Sequence, residues 1–231
     1  MTKYLTIIVI LFAASVCAFS QEPNEGDIQV WNETKVYFKP FTKKNSAGKK
    51  EKFISPFIMG TIRIGRDVRH FVGERIGFGF DVQLNKYFKL TPSYYYIAEQ
   101  PIKGSKAIEH RLRIEITGEK KWKKVSFSNR NRFERRLRFG RADSTRYRNK
   151  TKVAFPIKNS DGQEIVTPFV ATEPFYDFSK KQWTRNEFSA GIGKKLSKST
   201  SAEFFYMLQN NTGNTLKRVN IAGVNLKFTV N

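Results

Sequence analysis

Residues 125–139, VSFSNRNRFERRLRF, decide how the chain folds. At a period of two, Lys124, Ser126, Ser128, Arg130, Arg132, Glu134, Arg136 and Arg138 share one face, and Val125, Phe127, Phe133, Leu137 and Phe139 share the other. At helical spacing the arginines scatter around the whole circumference and no apolar stripe forms, so the spacing predicts a strand. Residues 108–116 repeat the division: Glu109, Arg111, Arg113 and Glu115 alternate with Ile108, His110, Leu112, Ile114 and Ile116. Residues 146–157 set Arg146, Arg148, Lys150 and Lys152 against Tyr147, Val153, Phe155 and Ile157. A soluble sandwich, with apolar faces in and charged faces wet, accommodates these three strands equally well. The remainder of the chain separates the two readings.

Composition favours an exposed aromatic surface over a dry core: 39% of the 231 residues are hydrophobic, yet 14% are aromatic. The net charge of +22 and pI near 10.1 suit an anionic partner such as nucleic acid, a membrane surface or an acidic ligand. Residues 1–20 read as a signal peptide, with Lys3, an apolar run and small residues at Ala18 and Ser20, so that the mature chain is residues 21–231. Cleavage there removes Cys17, the only cysteine, and with it any disulfide. A bulky Val16 argues against lipidation at Cys17.

The mature chain reads as eleven alternating segments: 28–40, 52–65, 69–84, 87–98, 107–118, 123–139, 145–158, 164–178, 183–195, 199–210 and 217–230. Many exceed the five or six residues of soluble strands and suit a tilted membrane crossing. Polar turns separate them, and no linker or low-complexity tract divides the chain, so one domain is expected. Consecutive strands with one greasy face each, a signal peptide and no helix predict an all-β, antiparallel, up-and-down transmembrane barrel of ten to twelve strands. Single-chain bacterial barrels have an even count, so one segment should be split, merged or outside the wall. Residues 29–40, in the mouth or lumen, and the proline-broken 165–178 are the suspects. Trp31, Tyr37, Tyr87, Tyr94, Tyr95, Tyr96, Trp122, Tyr147, Tyr176, Trp183 and Tyr206 fall mostly near segment ends, where aromatic girdles belong.

Trp31-Asn-Glu33, Asn129-Arg-Asn-Arg-Phe-Glu134, Arg146-Tyr-Arg-Asn149 and Glu173-Pro-Phe-Tyr176 resemble the landmarks of the bacterial family called domain of unknown function 2490. The resemblance spans nearly the whole mature chain and implies an outer-membrane β-barrel without an assigned activity. It also implies a Gram-negative host.

With the greasy faces outward, the lumen should hold Glu33, Arg75, Asp81, Glu109, Arg111, Arg113, Glu115, Arg130, Arg132, Glu134, Arg136, Arg138, Arg146, Arg148, Lys150, Lys152, Glu173, Arg185, Glu187 and Glu203. Arginine's planar fork bridges two carboxylates, so the first expectation is a salt-bridge network standing in for a core. Cations exceed carboxylates in this set, so the second is attraction of a small anion or a phosphorylated headgroup. No catalytic, metal or cofactor site is expected. Only His70 and His110 could act as an imidazole base, one beside a turn and one on the apolar face, and no cysteine or acidic calcium loop is available. Nucleic acid is not an expected partner, because the alternation separates aromatics from arginines.

The expected function is that of a monomeric, non-enzymatic outer-membrane barrel among outer-membrane lipids, with an arginine- and carboxylate-lined lumen that binds or passes small anions. The alternatives are an integral lipid-modifying enzyme and a soluble periplasmic ligand-binding barrel turned apolar side in.

Overall fold

The structure, a computed structural model, describes residues 26–44, 48, 50–104, 106–213 and 216–230. The signal-peptide reading of residues 1–20 lies outside the described residues. Among the described residues every regular element is a strand: β1 (Gly26–Tyr37), β2 (Phe41–Lys44), β3 (Lys50–Gly65), β4 (His70–Gln83), β5 (Phe88–Glu99), β6 (Ala107–Lys121), β7 (Ser126–Arg138), β8 (Ser144–Ala154), β9 (Ile157–Lys158), β10 (Glu164–Asp177), β11 (Gln182–Lys195), β12 (Thr200–Asn211) and β13 (Arg218–Thr229). Strand pairing runs β1-β13-β12-β11-β10-β8-β7-β6-β5-β4-β3 and returns from β3 to β1, which closes a barrel of eleven wall strands.

Closure corrects the expected even count. Up-and-down neighbours are antiparallel, but an odd ring must contain one parallel pair, and here it is β1 with β13, in register from Gly26↔Arg218 to Tyr37↔Thr229. On its other edge β1 pairs antiparallel with β3, from Val30↔Ile64 to Tyr37↔Phe57. Both suspect segments are therefore wall strands, β1 and β10. What splits off is smaller: the chain leaves β1 before Pro40, and β2 takes up the same edge of β3 further along, at Phe41↔Ile54. Likewise Pro156 separates β8 from the two-residue β9, which pairs with β10. Proline supplies no ladder donor. The β4–β5 pairing accordingly lapses between Gly79↔Ser93 and Val82↔Leu90, around Pro92, and the β8–β10 pairing lapses between Thr172↔Thr151 and Phe175↔Arg148, around Pro174.

The greasy faces point outward. Ile76 and Phe78 on β4 are 66% and 60% exposed, while Arg111, Arg132 and Arg148 on the inward face are buried. On one half of the outer wall, rings touch in sequence: Tyr94 and Tyr96 on His110, His110 on Phe139, Phe133 on Tyr147 and Phe178, and Tyr176 on Phe178 and Trp183. Tyr87, Phe88, Trp122 and Phe155 are exposed toward the opposite end. Three of the expected girdle residues turn inward instead. Tyr37 and Tyr95 pack inside with Phe57, Met59 and Ile97, and Trp31 packs against Met207, Val219 and Ile221. The outer face of β7 and β8 also carries a polar patch within the greasy band. Asn131 donates to Asn129 at 2.7 Å, Asn149 to Asn131 at 2.8 Å, Asn129 to Thr151 at 2.9 Å and Tyr147 to Asn131 at 2.6 Å. The amides thus satisfy one another, as an apolar surround requires.

Lumen-facing glycines make room for the inward rings. A Cβ on Gly77 would lie 2.5 Å from the Tyr94 carbonyl oxygen and from the Tyr95 ring, and one on Gly223 would enter the Phe205 ring. Outward-facing Gly60 has open space at the same position. Gly77→Val is therefore expected to destabilise the barrel by about 1–3 kcal/mol through overpacking, with Gly60→Ala near neutral. Urea unfolding of the protein in detergent, followed by the heat-modifiable shift on unboiled gels, measures both.

Candidate functional site: a cationic lumen

Alternation gives each strand only every second residue for the interior, and along the middle of β6, β7 and β8 those positions are ionic, while β10 adds Glu173 and Asp177. Antiparallel register then fixes their neighbours: Arg113↔Glu134↔Arg146 in one row, Glu115↔Arg132↔Arg148 in the next. Side chains directly opposite lie about 5 Å apart at Cβ, within easy reach of arginine.

Glu134 sits at the middle and is fully buried. Arg146 donates to its Oε2 from Nε at 2.9 Å and from Nη2 at 2.6 Å; Arg111 stands 3.5 Å away, Arg148 3.4 Å and Arg132 3.5 Å. Three further carboxylates extend the lattice. Glu115 takes Arg113 at 2.5 Å, Arg132 at 3.1 Å and Arg130 at 3.5 Å. Glu173 takes Arg130 at 2.7 Å and Arg148 at 2.8 Å, and Glu109 takes Arg111 together with Arg136 at 2.9 Å. Arg148 reaches across to Glu187 on β11 at 3.7 Å, where Arg185 also lies at 3.6 Å. Most of these arginines touch two carboxylates, which stitches β6, β7, β8, β10 and β11 into one electrostatic unit.

Aromatic faces add a second contact to several cations, most of them already paired with a carboxylate. Arg113 lies 4.0 Å over Tyr95, Arg148 4.0 Å over Phe175, Arg63 3.4 Å over Trp31, Lys152 3.9 Å over Phe169 and Lys35 3.5 Å over Phe57. A ring face attracts a cation without cancelling its charge. The inward rings therefore attract positive charge in addition to what the carboxylates attract.

A cavity of about 390 Å³ occupies the centre of the lumen. Twelve lysines and arginines line it against six carboxylates, Glu33, Asp81, Glu115, Glu173, Glu187 and Glu203. Glu99 and Glu134, just behind the lining, pair with Arg63, Arg75 and Arg146, which raises the carboxylates to eight. The excess stays positive. Among the described residues, the buried Nε–H groups of Arg63, Arg113, Arg130 and Arg132 make no hydrogen bond, Arg130 Nε standing 3.5 Å from Glu115. Adjoining cavities open toward the two ends. One, about 440 Å³, is lined by six arginines and Lys180 against three carboxylates; the other, about 620 Å³, by eight lysines, no arginine and three glutamates.

The structure brings together Glu109, Arg111, Arg113, Glu115, Arg130, Arg132, Glu134, Arg136, Arg146, Arg148, Glu173, Arg185 and Glu187 through shared ion pairs. Arg75 lies in a separate cluster with Glu99 and Arg63. Asp81 and Glu203 pair with Lys89 and Lys152. Glu33 and Lys150 line the central cavity without an ion-pair partner within 4 Å among the described residues, and Arg138 stands in the arginine-lined mouth, donating to the Ala142 carbonyl. Sequence reasoning missed Lys35, Arg63, Lys89, Glu99 and Asp177, all lining the lumen. Parity would have found them: Arg63 alternates with Ile62 and Ile64, and Lys35 shares the face of Glu33.

The histidines stand apart from this chemistry. His110 faces outward among Tyr94, Tyr96 and Phe139, its Nδ1 2.5 Å from the Tyr94 hydroxyl, and His70 is exposed at the start of β4. Among the described residues no cluster of three metal-ligating side chains occurs.

Deleting the central carboxylate should cost far more than deleting a rim one. Glu134→Ala leaves four buried guanidinium groups short of their shared partner and is expected to destabilise the barrel by about 3–5 kcal/mol. Glu119→Ala removes only the exposed pair with Lys121 and is expected to cost about 0–1 kcal/mol. Equilibrium unfolding in urea compares them.

The sequence profile described as "Protein of unknown function (DUF2490)" matches residues 48–220. Among solved structures, one titled "NanC porin structure in rhombohedral crystal form" superposes with a TM-score of 0.50 at 10% identity, covering 88% of this chain and 99% of that one. One titled "Anion-selective porin from Comamonas acidovorans" matches at a TM-score of 0.36 and 11% identity, covering 77% of this chain and 57% of that one. The first likeness shows a porin-like fold; the second is too remote to add to it. No curated protein matches the chain.

Proposed function

We propose, from the premise that the chain belongs to the family described as protein of unknown function (DUF2490), that it is an outer-membrane β-barrel holding and passing small anions through its cationic lumen. The observation that carries this reading is the excess of fixed positive charge around the central cavity, twelve cations against six lining carboxylates, with guanidinium N–H groups that make no hydrogen bond among the described residues. Rings of fixed charge select permeating ions of opposite sign. The lysine-lined mouth, whose ammonium groups are strongly hydrated point charges, would raise the local anion concentration ahead of the arginines.

Membrane placement is supported by the outward apolar wall and by aromatic residues toward both of its ends, the pattern of outer-membrane barrels. The export signal proposed for residues 1–20 fits the same destination, a Gram-negative outer membrane, with its lipids as the barrel's surroundings. A soluble periplasmic barrel would instead leave large side chains such as Ile76 and Phe78 in water. Against a lipid-modifying enzyme stands the geometry of the candidate groups: both histidines lie off the lumen, and carboxylates such as Glu134, Glu115 and Glu173 are each held by two or more arginines, which suits them poorly to proton transfer. The reading is of a non-enzymatic monomer with no nucleic-acid partner.

Purified protein in planar bilayers under a potassium chloride gradient should carry a current whose reversal potential lies toward the chloride equilibrium. A reversal toward potassium, or no current at all, would overturn passage of anions. Placement in the bilayer has its own measure. Ile114→Arg, midway along the outer face of β6, should destabilise the vesicle-inserted barrel by about 2–4 kcal/mol in urea titrations, as cations on the lipid face near the midplane do.

A further inference from the structure

The excess charge is not spread evenly over the cavity wall. Where β7 and β8 pair at Arg130↔Lys150, two cationic groups stand side by side on the inward face, flanked by Thr117 across from Arg130 and by Ser128 one step along β7. All four line the central cavity, and Ser128 also lines the lysine-lined mouth. The group therefore sits at the junction between the two spaces.

Two cationic groups there keep donors that no hydrogen bond among the described residues uses. Lys150 has no carboxylate within 4 Å among the described residues, whereas Lys152, the next inward residue on β8, is taken by Glu203. Arg130 spends one Nη on Glu173 at 2.7 Å, and its buried Nε–H, 3.5 Å from the Glu115 carboxylate, completes no hydrogen bond among the described residues. The hydroxyls of Thr117 and Ser128 can add further hydrogen bonds. A halide answers charge alone. Directed donors from a guanidinium, an ammonium and hydroxyls match a ligand with several acceptor oxygens and more than one negative charge.

We propose that Arg130 and Lys150, with Thr117 and Ser128, form a subsite for a free tetrahedral oxyanion of the phosphate or sulfate class, at the inner edge of the lysine-lined mouth. The proposal rests on the anion-passing reading and narrows it to a substrate class. Glu33, on the β1 side of the same cavity, is the uncompensated carboxylate, which makes the β7–β8 side the more attractive one.

The test is block of chloride current by dissolved inorganic phosphate, with sulfate as a permanent dianion. Both should reduce the wild-type current at concentrations where added chloride does not. In Lys150→Gln the half-blocking concentration should rise about tenfold, the loss expected for one charge-assisted hydrogen bond. Lys150→Arg should keep the wild-type value, and a heat-modifiable shift on gels verifies that each variant is folded. Wild-type current indifferent to both oxyanions, or Lys150→Gln blocked at the wild-type concentration, would overturn the subsite while the anion selectivity still stood. If the barrel carries no current, passage fails instead, and calorimetric titration of the folded protein with phosphate decides the subsite by itself. A bilayer doped with phosphatidic acid separates the sources: block by that lipid without block by dissolved phosphate would assign the site to a headgroup and overturn the free-ion proposal.

Discussion

Four guanidinium groups gathered about the Glu134 carboxylate set the conditions under which this wall can close. A buried ion pair gains little by itself, because stripping water from both partners offsets most of the attraction. Here each charge is shared among several neighbours across five strands, so that removing any one would strand the others. That mutual dependence makes the lattice specific: a one-residue slip in β7 would carry its arginines to the greasy side and leave Glu134 without its cations. The ionic rows thus lock the strand register that the outer apolar face only suggests.

The lattice alone would not leave a charged interior. Arg113 on Tyr95, Arg63 on Trp31 and Lys152 on Phe169 are cations that ring faces help to hold, and the neighbouring wall gives Tyr95 and Phe169 room through Gly77 and Gly191. The sequence of causes runs from a missing side chain, to a ring that can fit against the wall, to a cation resting on that ring, to a lumen whose charge remains available to solutes. The two mouths differ in kind as well. Arginine, with its directional fork, dominates one, and lysine the other, so the molecule has chemically distinct approaches to a single central space.

Much of this was legible in the amino-acid order. Period-two alternation located all eleven wall strands, and parity placed most of the ionic lattice on β6, β7 and β8, because both depend only on neighbours along the chain. Three features depended on partners far away. Eleven segments were readable, but an even wall was expected of them, and nothing local says that the first and last strands pair in the same direction. Trp31, Tyr37 and Tyr95 sit close enough to strand ends to pass for girdle residues, and only cross-strand registry, such as Tyr95 opposite Gly77 on β4, shows how a ring fits inside. Asn129, Asn131 and Asn149 occupy the outward face that Phe127 and Phe133 mark as greasy; their mutual hydrogen bonds, which make that tolerable, appear only once β7 and β8 are aligned.

The parallel pairing of β1 with β13 reaches beyond geometry into the order of construction. From β3 to β13, each wall strand finds its partner in a strand made shortly before or after it, so that part of the wall can grow as successive hairpins. The leading strand cannot complete its second edge until the last strand exists, because Gly26 must meet Arg218. It works as a keystone, cut first and set last, and slanted parallel bonds are the weaker kind to set it with. A wall that has sealed is therefore a record that synthesis ran through the final strand.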